Sequence, residues 1–277
     1  MLIKSISYLR AAPLLLAFAL FASCEKVIDL DLKTAASQFV FEGNLADDGR
    51  PCLVTLSRST NYTDSNTFQA VSGATVTLTD NAGGQETLRE STSTPGQYAG
   101  ATLLGVSGRT YTLRVETGGT AYVATSTLPA PVVPFDKLST QLSAVGNRIQ
   151  AVVDFDDPVG LGNSYLYRQY RNGRLNSAIF VQNDQFNDGK HVTQVLRSMG
   201  PSNDPNDVNK LVAGDSLRVE MQNIDAGVYE YFRTLNLILT TNPATATTPA
   251  NPKSNFSGAI LGYFSAHSKR VRAIKVP

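Results

Sequence analysis

The feature that most constrains this chain is a series of short alternating segments separated by turn residues. Ala74-Thr75-Val76-Thr77-Leu78-Thr79 places Ala74, Val76 and Leu78 on one face and three threonines on the other, the period-two pattern of a half-buried strand. Comparable runs rich in Val, Thr and aromatic residues occupy 39–45, 53–57, 86–90, 97–102, 110–116 and 122–127. Between them stand Asp47-Asp48-Gly49, Asp80-Asn81-Ala82-Gly83-Gly84, Pro95-Gly96, Ser107-Gly108 and Gly118-Gly119, which supply the turns. Seven such strands in about 90 residues predict an Ig-like or transthyretin-like β-sandwich. Within it, Gly108-Arg109-Thr110-Tyr111-Thr112-Leu113-Arg114-Val115 has the form of a late strand in small extracellular sandwiches, with Tyr111 closing a corner through its hydroxyl.

From Leu128 to Pro134 three prolines interrupt the strand pattern, and a central strand cannot continue through them. Strand runs then resume at 148–155, 164–170, 178–182, 191–196 and 216–223. After these the period changes: Val228, Phe232, Leu235 and Leu239 fall at helical spacing, Asp225 is a suitable N-cap and Asn242-Pro243 ends the element. The expected fold class is therefore mainly β. It comprises a β-sandwich domain at 38–128, a Pro-rich linker at 129–135, and a second β-rich domain at 136–277 carrying one amphipathic helix at 225–239. Two irregular stretches, 199–209 and 240–254, are long enough to rim a binding surface or simply to connect elements. Binding residues are expected in the first stretch and in the region 251–266.

The N-terminus carries an address. Lys4 and Arg10 precede an apolar run of 11 residues, Ala11 to Phe21, followed by the small pair Ala22-Ser23. Spanning a bilayer takes about 20 apolar residues, so this run is too short. Leu20-Phe21-Ala22-Ser23-Cys24 resembles a bacterial lipobox, which makes 1–23 a lipoprotein signal peptide, Cys24 the lipidation site and 24–37 a tether. An ordinary secretory signal with an incidental Cys is the alternative. Acyl chains such as palmitate contribute about 0.8 kcal/mol per buried methylene, so several chains hold a protein firmly on a membrane. Cys52 is the other of the two cysteines, and its apolar flanks predict a buried, structural thiol.

Charge excludes some functions. Lys and Arg number 24 against 23 acidic residues, a formal charge of +1 that becomes −1 once Lys4 and Arg10 are removed with the signal. Nucleic acid is not an expected partner, because basic residues concentrate only at Lys269-Arg270-Val271-Arg272 with Lys275. Asp154, Asp156 and Asp157 form an acidic group whose oxygens would suit Ca²⁺, or equally a solvated turn. His191 and His267 lie 76 residues apart with no third ligand at zinc spacing. Neither a Gly-x-Ser-x-Gly elbow nor a phosphate-binding loop is present. No catalytic residue and no cofactor are expected, and a hydrolase using Asp156 and Asp157 is the lesser alternative. Tyr165, Tyr167 and Tyr170 are available to a carbohydrate-binding or adhesive surface, with Tyr165 and Tyr167 on one strand face.

Several segments resemble a known family. Cys24-Glu25-Lys26-Val27-Ile28-Asp29-Leu30, Phe41-Glu42-Gly43-Asn44-Leu45, Val71-Ser72-Gly73-Ala74-Thr75-Val76 and Gly108-Arg109-Thr110-Tyr111 look like the N-terminal half of the Bacteroidota lipoproteins catalogued as domain of unknown function 4249. Asp156-Asp157-Pro158, Gly162-Asn163-Ser164-Tyr165 and the stretch from Ser254 to Ala266 extend the resemblance through nearly the whole mature chain. The resemblance implies an outer-membrane lipoprotein, often found with TonB-dependent receptors, with no established activity or site residues. Relatives exposed on the cell surface commonly carry acidic residues after the lipidated Cys. Here Lys26 follows Glu25, which leaves both the periplasmic and the surface face open. Asp215-Ser216-Leu217 resembles the O-glycosylation triplet of the phylum, though Ser216 could equally begin a strand.

Overall fold

Inward residues at every second position build the first core. β1 (Phe39–Ala46) and β2 (Pro51–Arg58) form an antiparallel hairpin, with β3 (Gln69–Ala70) adding a short pairing to β2. β4 (Thr75–Asp80), β5 (Gln85–Glu90), β6 (Gln97–Leu104), β7 (Thr110–Thr117) and β8 (Thr120–Thr127) follow. β6 lies beside β2, and β7 lies between β4 and β8. β5 turns the corner, pairing with β4 through 85–88 and with β6 through 89–90. Phe41, Val54 and Leu56 on one layer and Val76, Leu78, Leu113 and Val115 on the other are all buried in this core. The Tyr111 hydroxyl donates to the Leu104 carbonyl at 2.9 Å and accepts from the Val106 N–H at 2.8 Å, forming the expected corner. Cys52 is fully buried, and burial pushes its thiol up to about 12.

The computed structural model describes residues 36–60, 68–144, 148–197, 207–240 and 251–277. The expected signal peptide, Cys24 and most of the 199–209 loop lie outside the described residues.

The second half contributes β9 (Lys137–Leu142), β10 (Ile149–Asp156), β11 (Ser164–Arg171), β12 (Arg174–Leu175), β13 (Phe180–Asn183), β14 (His191–Leu196), β15 (Ser216–Ile224), α1 (Ala226–Thr240) and β16 (Leu261–Lys275). β14, β10 and β9 form a separate antiparallel sheet. Its Val153 and Phe155 share a second core with Tyr165 and Tyr167 of β11 and with Leu217, Val219 and Met221 of β15. α1 starts where predicted: Asp225 Oδ1 accepts the Val228 N–H at 2.9 Å. The other Asp225 oxygen accepts from the Ser126 hydroxyl and, at 2.8 Å, the Thr127 N–H of β8. Val228, Tyr231 and Phe232 then bury against Leu166, Ile224 and Tyr263.

The strand β16 changes the expected division of the chain. It pairs in parallel with β1, Val40 opposite Leu261 through Ala46 opposite His267, and then antiparallel with β15, Asn223 opposite Ser268 through Ser216 opposite Lys275. One continuous sheet results, in the order β12-β11-β15-β16-β1-β2-β6 before it turns through β5. Phe256, Ile260, Phe264 and Ala266 belong to the first core, so the 38–128 segment is not a self-contained sandwich and 129–135 is not a boundary between independent units. Residues 37–277 form one compact unit. Because β16 side chains alternate, Phe264 and Ala266 in the first core and Ile274 against the second lie on one face of the long sheet. The opposite face carries α1, which packs over β11, β13 and the start of β16.

Close backbone approach explains two glycines. Gly262 has φ +99°, and a Cβ there would overlap the Phe41 carbonyl oxygen on the parallel partner. A Cβ on Gly43 would meet Phe264 Cδ2 at 2.8 Å. Asn255 holds the incoming chain by accepting the Phe264 N–H at 3.0 Å and donating to the Phe264 carbonyl at 2.7 Å, which makes it a structural residue within the region expected to bind.

Gly262→Ala should lower stability by at least about 1–3 kcal/mol, since it strains the backbone where β16 joins β1. A chain ending at residue 135 should lose the first core as well. Alkylation of Cys52 measures this: the thiol should be protected in the full chain and reactive in the truncated one, and a protected thiol in the truncated chain would contradict the shared-strand architecture.

Candidate functional site

On the face of the long sheet opposite the two cores, outward side chains of five adjacent strands enclose a groove of about 390 Å³. β1 contributes Glu42 and Asn44, β16 contributes Tyr263, His267 and Lys269, and β15 contributes Glu220 and Gln222. Leu53 and Thr55 of β2 and Arg168 and Tyr170 of β11 form its two walls. The groove therefore straddles the junction at β16 and draws on both halves of the chain.

Its polar groups are mostly fixed by one another. Glu220 pairs with Arg218 and lies 3.9 Å from Lys269 Nζ, which is 3.3 Å from Asp48. The Arg218 guanidinium stacks on Tyr170 at 3.7 Å from the ring centroid. Arg168 donates to the Tyr263 hydroxyl at 3.2 Å and has no carboxylate within ion-pair distance among the described residues. His267 is buried, with Nδ1 at 2.9 Å from the Ser265 hydroxyl. Burial, with the nearby Arg168 charge, depresses its pKa to about 4, so the imidazole is neutral at pH 7. The groove thus offers a half-buried guanidinium, carboxamides and a phenol, which suit a polar ligand rich in hydrogen-bond acceptors.

The acidic residues singled out in the sequence separate into two groups. Asp154 and Asp156 project from one face of β10 as alternation predicts, where Asp154 accepts from Thr193 at 2.7 Å and Asp156 lies 2.7 Å from His191 Nδ1. Asp157 turns inward beyond the strand end and joins Asp184 and Asp188, their oxygens within 4.8 Å of one another. The expected trio of Asp154, Asp156 and Asp157 is therefore not one ligand set. Loop groups use the second trio's oxygens: Asp184 accepts the Gly162 and Asn163 N–H groups at 2.7 and 2.8 Å, and Asp188 accepts the Gly160 N–H at 2.6 Å. Asp157 accepts from the Tyr165 hydroxyl and the Gly189 N–H. Burial, with the neighbouring Asp184 and Asp188, holds the Asp157 carboxyl above the ordinary carboxylate range. The arrangement ties loop 157–163 to loop 184–190. It also leaves Asp156 exposed and Asp157 buried, so the two do not face each other across a cleft as a hydrolytic pair would.

Other expected positions are resolved by burial. Tyr165 and Tyr167 share a face, as predicted, but that face lies in the second core and cannot stack on a sugar. Tyr170 alone reaches the groove. His191 is exposed and His267 buried, and neither joins a cluster of three metal-ligating groups among the described residues. Ser216 is exposed at the start of β15, while the Asp215 carboxylate is engaged by Arg171 at 2.7 Å. Arg168 and Gln222 escaped sequence reasoning. The signal was present, since a charged residue in Tyr-Leu-Tyr-Arg-Gln-Tyr interrupts an otherwise buried run.

Fold and groove define a two-core β protein with one open polar sheet face. The chain belongs to the family described as Domain of unknown function (DUF4249), whose model matches residues 25–273. No curated protein matches it. Among solved structures it is similar to a two fibronectin type-III domain segment from chicken tenascin, at 12% identity and a TM-score of 0.24, covering 87% of this chain and 99% of that one. A likeness of that strength carries no argument about function. Among the described residues no helix is long and apolar enough to cross a membrane.

The loop carboxylates should respond in opposite ways to substitution. Asp184→Ala strips two partly buried amides of their acceptor and should cost about 1 kcal/mol or more. Asp157→Asn keeps an acceptor for Tyr165 and removes a disfavoured charge, so at pH 7 it should match or exceed the wild type in thermal stability. Since the folded pKa of Asp157 is raised, the ionisation cost is present above that pKa and relieved as pH falls through it towards 3.8. The advantage of Asp157→Asn should shrink over the same window, and thermal melts in which it costs as much as Asp184→Ala would refute this reading.

Proposed function

We propose that the chain is a non-enzymatic outer-membrane lipoprotein, anchored through Cys24, that acts as a binding or accessory component of a TonB-dependent receptor system. The observation that carries the reading is the groove across β11, β15, β16, β1 and β2, where a half-buried Arg168 has no carboxylate partner among the described residues. Loops and faces held by a rigid β scaffold suit recognition of a large partner. Two features argue against turnover at this place. The Ser265 and His267 pair is buried within one strand, and an imidazole with a pKa near 4 is a poor general base at neutral pH. A carbohydrate-binding or adhesive role is the second reading, favoured by Tyr170 at the groove wall, although Arg218 already covers one face of its ring.

Co-purification of the acylated protein from native outer membranes tests the proposal. A TonB-dependent receptor should be recovered in stoichiometric amount, and combining Arg168→Ala with Gln222→Ala should reduce that recovery at least tenfold. Cys24→Ala should move the protein from the detergent phase to the aqueous phase without changing capture in detergent. Full capture by the groove variant, or measurable turnover on a glycan or peptide, would overturn the reading.

A further inference from the structure

Three large apolar side chains protrude together from one end of the molecule. Val159 is 89% exposed, Leu161 73% and Phe186 79%. They stand on loops 157–163 and 184–190, which form one body. The Gly160 N–H binds Asp188, the Gly162 N–H binds Asp184, and Val159 covers Gly189 so closely that an added Cβ would lie 2.9 Å from its Cγ2. Apolar side chains clustered on a fixed tip mark a surface meant for contact. Of the acidic groups on these loops, Asp157 and Asp184 are buried beneath the tip on loop amides and the half-buried Asp188 holds the Gly160 N–H, while Lys190 donates to the Phe186 carbonyl at 3.4 Å.

Strand direction identifies what the tip faces. β11 leaves the tip at Ser164 and is antiparallel to β15, which is antiparallel to β16, which is parallel to β1. β11 and β1 thus run the same way, and three steps of strand twist at roughly 20–25° each rotate one against the other without reversing it. The apolar tip and the start of β1 point toward the same end of the sheet, but the registers set Ser164 level with Ala46, so β1 begins about 23 Å nearer that end. That offset is within the reach of roughly 40 Å that 12 residues have when extended. From that end the chain continues backwards to Cys24 through residues 25–36. We propose that the tip inserts Val159, Leu161 and Phe186 into the lipid surface of the membrane that holds the chain. The inference rests on the lipid-anchored reading above and adds a second contact to it. An acyl group on a tether leaves a protein free to tumble, whereas a tether and a rigid apolar tip together fix its orientation and that of the groove.

The absence of Trp from the sequence gives a direct test. Phe186→Trp places a single fluorophore on the tip. Leu142→Trp, also at an exposed site, lies at the end of the β9–β10 hairpin remote from Asp156 and serves as control. In vesicles of phosphatidylethanolamine and phosphatidylglycerol, the acylated Phe186→Trp protein should shift its emission to the blue and lose it on brominated acyl chains. Leu142→Trp should do neither. Adding Val159→Asp and Leu161→Asp to Phe186→Trp should abolish both effects while Cys52 stays protected from alkylation. Holding the mature chain on the same vesicles by an N-terminal hexahistidine and a nickel-chelating lipid separates the two readings. A failure of acylation overturns the anchor alone, because quenching in the tethered chain still reports the tip. Unshifted, unquenched Phe186→Trp in the tethered chain overturns the tip proposal, as does crosslinking of that position to a membrane protein in place of lipid.

Discussion

One strand belongs to both cores, and the rest of the structure depends on its pairing. β16 runs in register with β1 along its first half and with β15 along its second, so segments more than 200 residues apart in sequence share backbone hydrogen bonds. A strand of 15 residues spans roughly 50 Å, enough to floor both halves. The parallel step needs a sharp, close entry, which Gly262 permits and Asn255 holds. The basic run at its end is accounted for in the same way: Arg270 pairs with Asp47 at 2.9 Å, Lys269 reaches Asp48, and Arg272 donates to the Phe135 carbonyl. These cations stitch the strand to its neighbours and form no patch for an acidic polymer.

A continuous sheet with both cores on one face leaves the other face to α1 and the groove. Core formation thus determines where binding chemistry can sit, because alternation sends every second side chain of β1, β2, β11, β15 and β16 to the open side. Asp225 links the two levels, capping α1 while accepting from Ser126 and Thr127 of β8. The hydroxyl of Ser126 also accepts the Ala266 N–H at 2.8 Å, so helix, first core and shared strand meet at one side chain.

Much of this was legible in the sequence where a strand has one dry and one wet face. β4 alternates as Val76 and Leu78 in, threonines out, and its pattern marks its bounds to within a residue. The Tyr111 corner, the buried Cys52 and the Asp225 cap likewise follow from local chemistry. β16 gave no such signal: residues 262–268 are buried whichever way they point, and the remaining half is charged. Nothing local announces a parallel partner at Phe41, which is why the division at 129–135 looked like a domain boundary. The same blindness applied to the groove, since its residues occupy alternate positions on strands scattered through the chain. Alternation alone sets Tyr165 and Tyr167 on a common face, but which face is dry depends on β10, and only the packed sheet reveals that.

The central claim is that β16 makes the two cores one cooperative unit. Native-state hydrogen exchange of the backbone amides along β16, followed with increasing denaturant, addresses it most directly. The account predicts that the amides of 262–267, in the segment paired with β1, and of 268–275, in the segment paired with β15, open together with the same free energy and the same denaturant dependence. Two distinct opening events, one for each half of the strand, would contradict it.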